Sequence, residues 1–146
     1  MKTFRIYLLL GAAFLLNLFP LPSLPDFVLL ALLALHLPPA QGHRFPAAFF
    51  LGLLIDVAYS TPLGQRALVY IVLCYLTVLL RSSLCLMPLS SRLVYVYLAQ
   101  LLASLLNFGL TLLHGKAVLS YHLGLAALVG TLLFVPLYLR VQRWLL

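Results

Sequence analysis

The stretch Pro46-Ala-Ala-Phe-Phe-Leu-Gly-Leu-Leu-Ile-Asp-Val-Ala-Tyr-Ser60 places a single acidic residue, Asp56, inside an otherwise apolar run. An ionisable side chain at membrane depth is costly, so it normally has either a partner or a function. Arg66 follows just beyond the short turn Ser60-Thr-Pro-Leu-Gly64, where it can face Asp56 at a similar depth. The sequence therefore predicts an ion pair between Asp56 and Arg66 that closes a hairpin of two membrane helices. An ion relay would need further acids, and the only other one is Asp26, at the expected start of a helix.

The composition of the chain is that of an integral membrane protein. Hydrophobic residues make up 65% of the 146 residues, charged residues make up 8%, and the mean hydropathy is +1.17. So few charges could not cover the surface of a soluble domain of this size. We therefore expect one all-α integral membrane domain over residues 1–146. The net charge of +7 comes from scattered basic residues rather than a basic run, so it does not indicate nucleic-acid binding.

Prolines and charges divide the apolar sequence into six segments, which predicts a polytopic bundle of six transmembrane helices. The expected spans are about 6–19, 27–37, 46–59, 65–86, 92–114 and 121–144. Ser90 or Ser91 is the expected cap of the fifth span, and Ser120 is the expected cap of the sixth.

The first three spans are shorter than the roughly 20 residues that a straight helix needs to cross a bilayer. At 1.5 Å per residue, the second span covers only about 17 Å. Thinning of the local bilayer, extension by flanking prolines, or shielding of the second span by neighbouring helices would each explain this. A re-entrant hairpin of the first two spans is a further alternative.

The distribution of basic residues predicts that both termini are cytoplasmic, because loops on that side carry an excess of Lys and Arg. With six spans and an internal N-terminus, only Arg66 and Lys116 lie outside. The seven basic residues on the cytoplasmic side are then Lys2, Arg5, Arg44, Arg81, Arg92, Arg140 and Arg143.

Six polar side chains recur on one face of the fifth span, at alternating steps of three and four residues. Such a face cannot point at lipid without cost. It is therefore expected to hydrogen-bond with neighbouring helices or with a partner's transmembrane helix, or to line a small-molecule cavity. The residues of this candidate face are Tyr97, Gln100, Ser104, Asn107, Thr111 and His114.

A second stripe, of small and polar residues, follows the third span at intervals of four: Ala48, Gly52, Asp56 and Ser60. Small residues allow another helix to approach closely. This stripe is interpreted as a packing surface within the bundle, with a homodimer interface as the alternative.

The sequence contains no recognisable catalytic or cofactor-binding arrangement. It has no Gly-rich phosphate loop, no nucleophile motif and no paired acids, and its four histidines lack metal-ligand spacing. Cys74 and Cys85 likewise have neither a metal nor a redox spacing, and they are interpreted as two unpaired packing cysteines. We therefore expect a protein that is not an enzyme and that holds no metal or cofactor.

The run Gly52-Leu-Leu-Ile-Asp-Val-Ala-Tyr-Ser-Thr-Pro-Leu-Gly-Gln-Arg-Ala-Leu68 resembles the signature region of the MreD family of rod shape-determining proteins. That family has a glycine four residues before an intramembrane aspartate, then a small-residue turn, then Leu-Gly-x-x-Ala-Leu at the start of the next span. The pair Tyr59-Ser60 departs mildly from this pattern. The matching positions are Gly52, Asp56, Leu63, Gly64, Arg66, Ala67 and Leu68.

The resemblance implies a non-enzymatic subunit of the cell-elongation (rod) complex in the inner (cytoplasmic) membrane of a bacterium, where it supports cell shape and lateral peptidoglycan synthesis. The implied partners are MreC, MreB filaments, the glycosyltransferase RodA and its penicillin-binding transpeptidase, within surrounding membrane lipid. The family is also distantly similar to the S components of energy-coupling-factor transporters. That similarity implies the alternative function, a vitamin-binding transporter subunit whose fifth span lines the pocket.

Overall fold

The computed structural model describes residues 2–19, 25–37, 45–115 and 123–145, and its regular structure within these ranges is entirely α-helical. The helices in chain order are α1 (Lys2–Asn17), α2 (Phe27–His36), α3 (Phe45–Ala58), α4 (Gln65–Leu86), α5 (Leu89–Leu113) and α6 (Leu123–Leu145). Each helix corresponds to one predicted span. The prediction for the start of the fifth span is wrong, because α5 begins at Leu89 with Pro88 at the cap position. The predicted cap of the sixth span, Ser120, lies outside the described residues.

The short helix α2 is the centre of the bundle. Every residue from Val28 to Leu37 is buried, so α2 has no face exposed to the surroundings. It packs against α1, α4, α5 and α6. A helix that is apolar all round is surrounded either by protein or by lipid, and here the neighbouring helices surround it. Shielding by neighbouring helices therefore explains how α2 can be only about 15 Å long, at 1.5 Å per residue.

The helices of the described residues, α2 included, fall into two classes by length. Among the described residues, α4, α5 and α6 are the three helices long and apolar enough to cross a membrane. The other helices, α1, α2 and α3, are apolar but shorter. The chain is therefore a helical membrane protein, and the crossing of the bilayer by all six helices stays a prediction.

The closest helix packing in the bundle joins α3 to α4. A Cβ built on Gly52 would lie 2.3 Å from the Cα of Ala67, so the two backbones meet without space for a methyl group. Ala48 and Asp56, on the same stripe of α3, are also buried, whereas Ser60 is exposed. From Ala48 to Asp56 the stripe is thus a packing surface inside the bundle, covered at Gly52 by α4 of the same chain, whereas the prediction does not hold for Ser60.

The structure has two recognisable ends. Arg92 of α5 lies beside Tyr138 of α6 and the last turn of α4, and we call this end of the bundle the basic end. The turn 59–64 between α3 and α4 lies at the opposite end, beside the last residue of α1, Asn17. The last turn of α3 and the turn that follows it hold the recognisable sequence run.

Candidate functional site

The candidate site is built at the end of α3, where the chain reverses into α4. The amide of Thr61 donates to the carbonyl of Asp56 (3.0 Å) and the amide of Ser60 donates to the carbonyl of Val57 (3.2 Å). Ser60 has a positive φ of 52°, and this set of bonds is the Schellman arrangement that ends many helices. Gly64, with a φ of 92°, then sets the direction in which α4 starts.

Asp56 is fully buried and its carboxylate caps the start of α4. The hydroxyl of Thr61 donates to Oδ1 at 2.9 Å, and the amide of Gly64 donates to Oδ2 at 3.0 Å. The amide of Arg66 is shared between the two carboxylate oxygens, at 3.1 Å from each. The first amides of a helix have no partner within it, and the helix dipole favours a negative charge at this end. The Asp56 side chain of α3 thus accepts hydrogen bonds from backbone amides at the start of α4, and it joins the two helices in this way.

The predicted ion pair between Asp56 and Arg66 is wrong. Within the described residues, Arg66 reaches Asp56 through its backbone amide, and its guanidinium makes no ion pair with the carboxylate. The guanidinium instead lies over the ring of Tyr59, 4.6 Å from the ring centre. The positive partner of Asp56 is therefore the start of the α4 helix dipole, and not the Arg66 side chain that the sequence predicted. The sequence pattern alone does not show the direction of a helix axis.

A second polar cluster surrounds the other acid, Asp26. Its Oδ1 accepts hydrogen bonds from the side-chain amide of Asn17 (2.9 Å) and from the backbone amide of Leu29 (3.2 Å). Its Oδ2 accepts a hydrogen bond of 2.6 Å from the hydroxyl of Tyr70. Asp26 is therefore the cap of α2, as expected for an acid at a helix start, and it also links α1, α2 and α4.

The same cluster extends to three further helices. The hydroxyl of Tyr59, at the end of α3, donates to the backbone carbonyl of Asn17. The side-chain amide of Gln100 in α5 donates to the backbone carbonyl of Asp26 at 3.4 Å. Gly130 of α6 lies against the same group, since a Cβ there would be 3.4 Å from Nε2 of Gln100. All six helices therefore meet around the start of α2.

The candidate face of α5 is divided between the core and the outside. Gln100 is buried and belongs to the cluster around Asp26, so it is not available to line a cavity or bind a partner. Thr111 and His114 hydrogen-bond carbonyls of their own helix, at 2.7 and 2.8 Å. Tyr97 and Ser104 are half-buried, and their side chains have no hydrogen-bond partner within the described residues.

Asn107 brings the α5 face next to the start of α4. The side-chain amide of Gln65, the first residue of α4, donates to the backbone carbonyl of Asn107 at 3.1 Å. The remaining side-chain oxygens, Oε1 of Gln65 and Oδ1 of Asn107, are buried and accept no hydrogen bond from the described residues. Such acceptors carry a desolvation cost until a donor reaches them. Within the described residues, these two oxygens therefore have unused capacity to accept hydrogen bonds.

The basic end of α4 is held by Arg92. Its guanidinium donates to the carbonyls of Cys85 (2.8 Å), Leu84 (2.9 Å) and Met87 (3.2 Å), and to the hydroxyl of Tyr138 (2.9 Å). These carbonyls include ones that the last turn of α4 leaves without helical partners. Arg92 therefore fastens α4, α5 and α6 to one another.

Within the described residues, no group of three His, Cys, Asp or Glu residues is placed to hold a metal ion. Cys74 and Cys85 are both free, as their spacing predicted. Both acids are engaged in structural hydrogen bonds, Asp26 as the cap of α2 and Asp56, from the last turn of α3, at the start of α4.

Comparison with protein families shows which family the chain belongs to. The model of the family described as rod shape-determining protein MreD matches residues 3–145. This chain belongs to the MreD family. Neither the curated proteins nor the solved structures that were compared give a match. The similarity to S components of energy-coupling-factor transporters therefore stays a prediction.

The MreD signature positions turn out to have different structural roles. Gly52 and Ala67 provide the close contact of α3 and α4, Asp56 caps α4, and Gly64 takes the positive φ at its start. Leu63 is 74% exposed and makes the outermost part of the turn. The resemblance thus marks the junction of α3 and α4.

Sequence reasoning missed the cluster around Asp26 and the role of Arg92. Asn17 ends one apolar run and Asp26 precedes the next, with prolines between them, so their proximity could have been suggested by the short connection. Tyr70 and Gln100 are 44 and 74 residues from Asp26 in the chain, and no local pattern connects them with it.

Proposed function

We propose that this MreD-family protein is a non-enzymatic subunit of the bacterial rod complex that holds partner membrane proteins, with an MreC-type protein as the direct partner. Membership of a family of rod shape-determining proteins, matched over residues 3–145, supports a role in cell shape. The partly open face of α5 supports the finer proposal. It presents side chains that can hydrogen-bond with another transmembrane helix.

The partly exposed part of that face consists of Ser104, Asn107 and Thr111, and the buried Gln65 at the start of α4 lies beside it. All three α5 residues are half-buried, and the unused acceptors of Gln65 and Asn107 lie beside them. Hydrogen bonds between helices are a principal source of specific association in a bilayer, where apolar surfaces alone provide little preference. A partner helix packed against Ser104 and Thr111 can hydrogen-bond with their half-buried hydroxyls.

We further propose that all six helices reside in the inner membrane with both termini in the cytoplasm. The basic end then faces the cytoplasm, in agreement with the excess of Lys and Arg on that side. Through MreC, the subunit would connect indirectly with MreB filaments, RodA and the penicillin-binding transpeptidase.

The test is co-purification with an MreC-type protein after replacement of the open face. The variant Ser104→Leu/Asn107→Leu/Thr111→Val leaves Gln100 intact, because Gln100 belongs to the core. Each interhelical hydrogen bond contributes about 0.6 kcal/mol on average, so three losses should reduce partner affinity roughly tenfold or more. Ser82→Leu/Ser83→Leu, which changes two exposed serines of α4, is the matched control and should bind the partner normally.

Native mass spectrometry of the wild-type protein separates this proposal from the transporter alternative. A stoichiometric vitamin-sized ligand, without a membrane partner, would contradict the proposal. Equal recovery of the partner by the triple variant and the control would also place the interface elsewhere and overturn the assignment to α5.

A further inference from the structure

An apolar groove runs between α1 and α6, with α2 as its floor. It has a volume of about 560 Å³ and is open along one side of the bundle. Small side chains make the space, since Ala12 lies on the α1 wall and Ala31 on the floor. Leu133 and Pro136 line the α6 wall, and Arg140 lies at one end.

The length of this groove limits what can fill it. Its α1 wall runs from Leu8 to Leu16, which is about 12 Å of helix, and its α6 wall from Leu133 to Arg140 is about 10 Å. One leaflet of a bilayer has roughly 15 Å of hydrocarbon, half of the usual 30 Å. The groove is therefore about one leaflet deep. A partner's transmembrane helix, which must cross both leaflets, would extend well beyond it.

Among the described residues, the charged side chains next to the groove are basic. Arg143 lies one helical turn beyond Arg140, and the two line an adjoining hollow of about 460 Å³ with Pro136 and Leu139. Arg5 is exposed on the first turns of α1, one turn before Leu8 on the same side of the helix. Both acidic side chains of the chain, Asp26 and Asp56, are engaged in the caps of α2 and α4.

We propose that this groove binds one anionic phospholipid, with an acyl chain against Ala12, Ala31 and Pro136 and the phosphate at Arg140 and Arg143. Guanidinium groups match phosphate oxygens in geometry and charge. Basic pockets between transmembrane helices are recognised sites for anionic headgroups. The apolar length, the single basic end and the lateral opening together fit a phospholipid of one leaflet. The proposal does not depend on which protein partner the α5 face holds.

The test uses the full-length protein in mild detergent, with phosphatidylglycerol as the anionic probe and phosphatidylethanolamine as the zwitterionic one. Native mass spectrometry should show retention of one phosphatidylglycerol molecule, and at least a fivefold preference for it over phosphatidylethanolamine. Arg140→Gln and Arg143→Gln should each reduce retention roughly fivefold, as expected for one basic contact with an anionic headgroup. Arg81→Gln removes the same charge from a position on α4 outside the groove, and it should retain the lipid normally.

A second variant tests the apolar part of the site without changing charge. Ala12→Phe puts a large side chain into the groove and should reduce phosphatidylglycerol retention, whereas Val57→Phe, at a 65% exposed position of α3, should not. A melting temperature within a few degrees of the wild type shows that a variant is folded. If Ala12→Phe is not folded, the retention measured for the arginine variants tests the proposal.

Equal retention of the two lipids would overturn the proposal, as would retention that none of the groove variants changes. Labelling of the Ala12→Cys variant by a maleimide distinguishes a lipid in the groove from a membrane protein in the groove. Protection by phosphatidylglycerol alone supports the lipid site, and protection only by a co-purified membrane protein would assign the groove to that protein instead.

Discussion

The two ends of α4 are held by opposite charges from neighbouring helices, in two different settings. At its start, the carboxylate of Asp56 from α3 accepts backbone amides while fully buried. At its end, the guanidinium of Arg92 from α5 donates to backbone carbonyls and is only half-buried. Both charges complement the helix dipole. Loss of the contact should therefore cost less stability at the half-buried end of α4 than at its buried start, because water or lipid headgroups can replace the lost contact only at the half-buried end.

Removing the buried carboxylate should have the largest effect. Asp56→Ala leaves the amides of Gly64 and Arg66 without an acceptor, and should lower the free energy of unfolding by about 3 kcal/mol through a lost cap and unsatisfied donors. Asp56→Asn keeps one acceptor oxygen and should lose about half as much. Unfolding by SDS titration in mixed micelles measures both. A loss below about 1 kcal/mol for Asp56→Ala, well under the usual cost of buried unpaired donors, would contradict the capping role.

The start of α4 is also held by close packing, and Gly52→Ala tests that part separately. The added methyl group would lie 2.3 Å from the Cα of Ala67, so α3 and α4 must separate. We expect a loss of about 2 kcal/mol in the free energy of unfolding, as is typical for overpacking. Gly109→Ala is the matched control, because a Cβ at Gly109 meets no atom within 4 Å. It should be neutral or slightly stabilising, and equal effects of the two changes would argue against the close contact.

At the other end, Arg92→Met should cost less than Asp56→Ala, about 1 to 1.5 kcal/mol, since the freed carbonyls can be hydrated. The melting temperature in detergent should fall accordingly. Arg81→Met removes a charge from the same end of α4 and should have little effect, because Arg81 has no hydrogen bond or ion pair within the described residues. If Arg92→Met proves as damaging as Asp56→Ala, the contrast between a buried and an open end is wrong.

The smallest effect should come from a substitution in the turn between α3 and α4, which positions Asp56 beside the start of α4. Ser60 has a φ of 52°, which costs a residue with a side chain about 1 kcal/mol relative to glycine. Ser60→Gly should therefore raise the free energy of unfolding by about 0.5 to 1 kcal/mol, partly offset by the greater freedom of glycine in the unfolded chain. Ser60→Ala keeps the steric cost and should show no gain. A destabilised Ser60→Gly variant would mean that the hydroxyl has a role of its own.

Much of the architecture could be predicted from local pattern. The helix bounds of α4 follow from the punctuation of an apolar run, with Gly64 before it and Pro88 beyond its end. The membrane class follows from a composition that cannot provide a soluble surface. The free state of Cys74 and Cys85 and the packing role of the α3 stripe from Ala48 to Asp56 were also predicted correctly.

Local sequence is enough to predict where helices form, which segments are apolar and which residues are small enough for close contact, because these properties depend on neighbours within a few turns. The tertiary structure was needed to show that α2 is enclosed, that the Asp56 carboxylate accepts the first amides of α4, and that Gln100 meets Asp26. These outcomes depend on the directions of helix axes and on contacts across many tens of residues. A hydrophobic pattern that runs all round a helix says that it is buried, but not which helices enclose it.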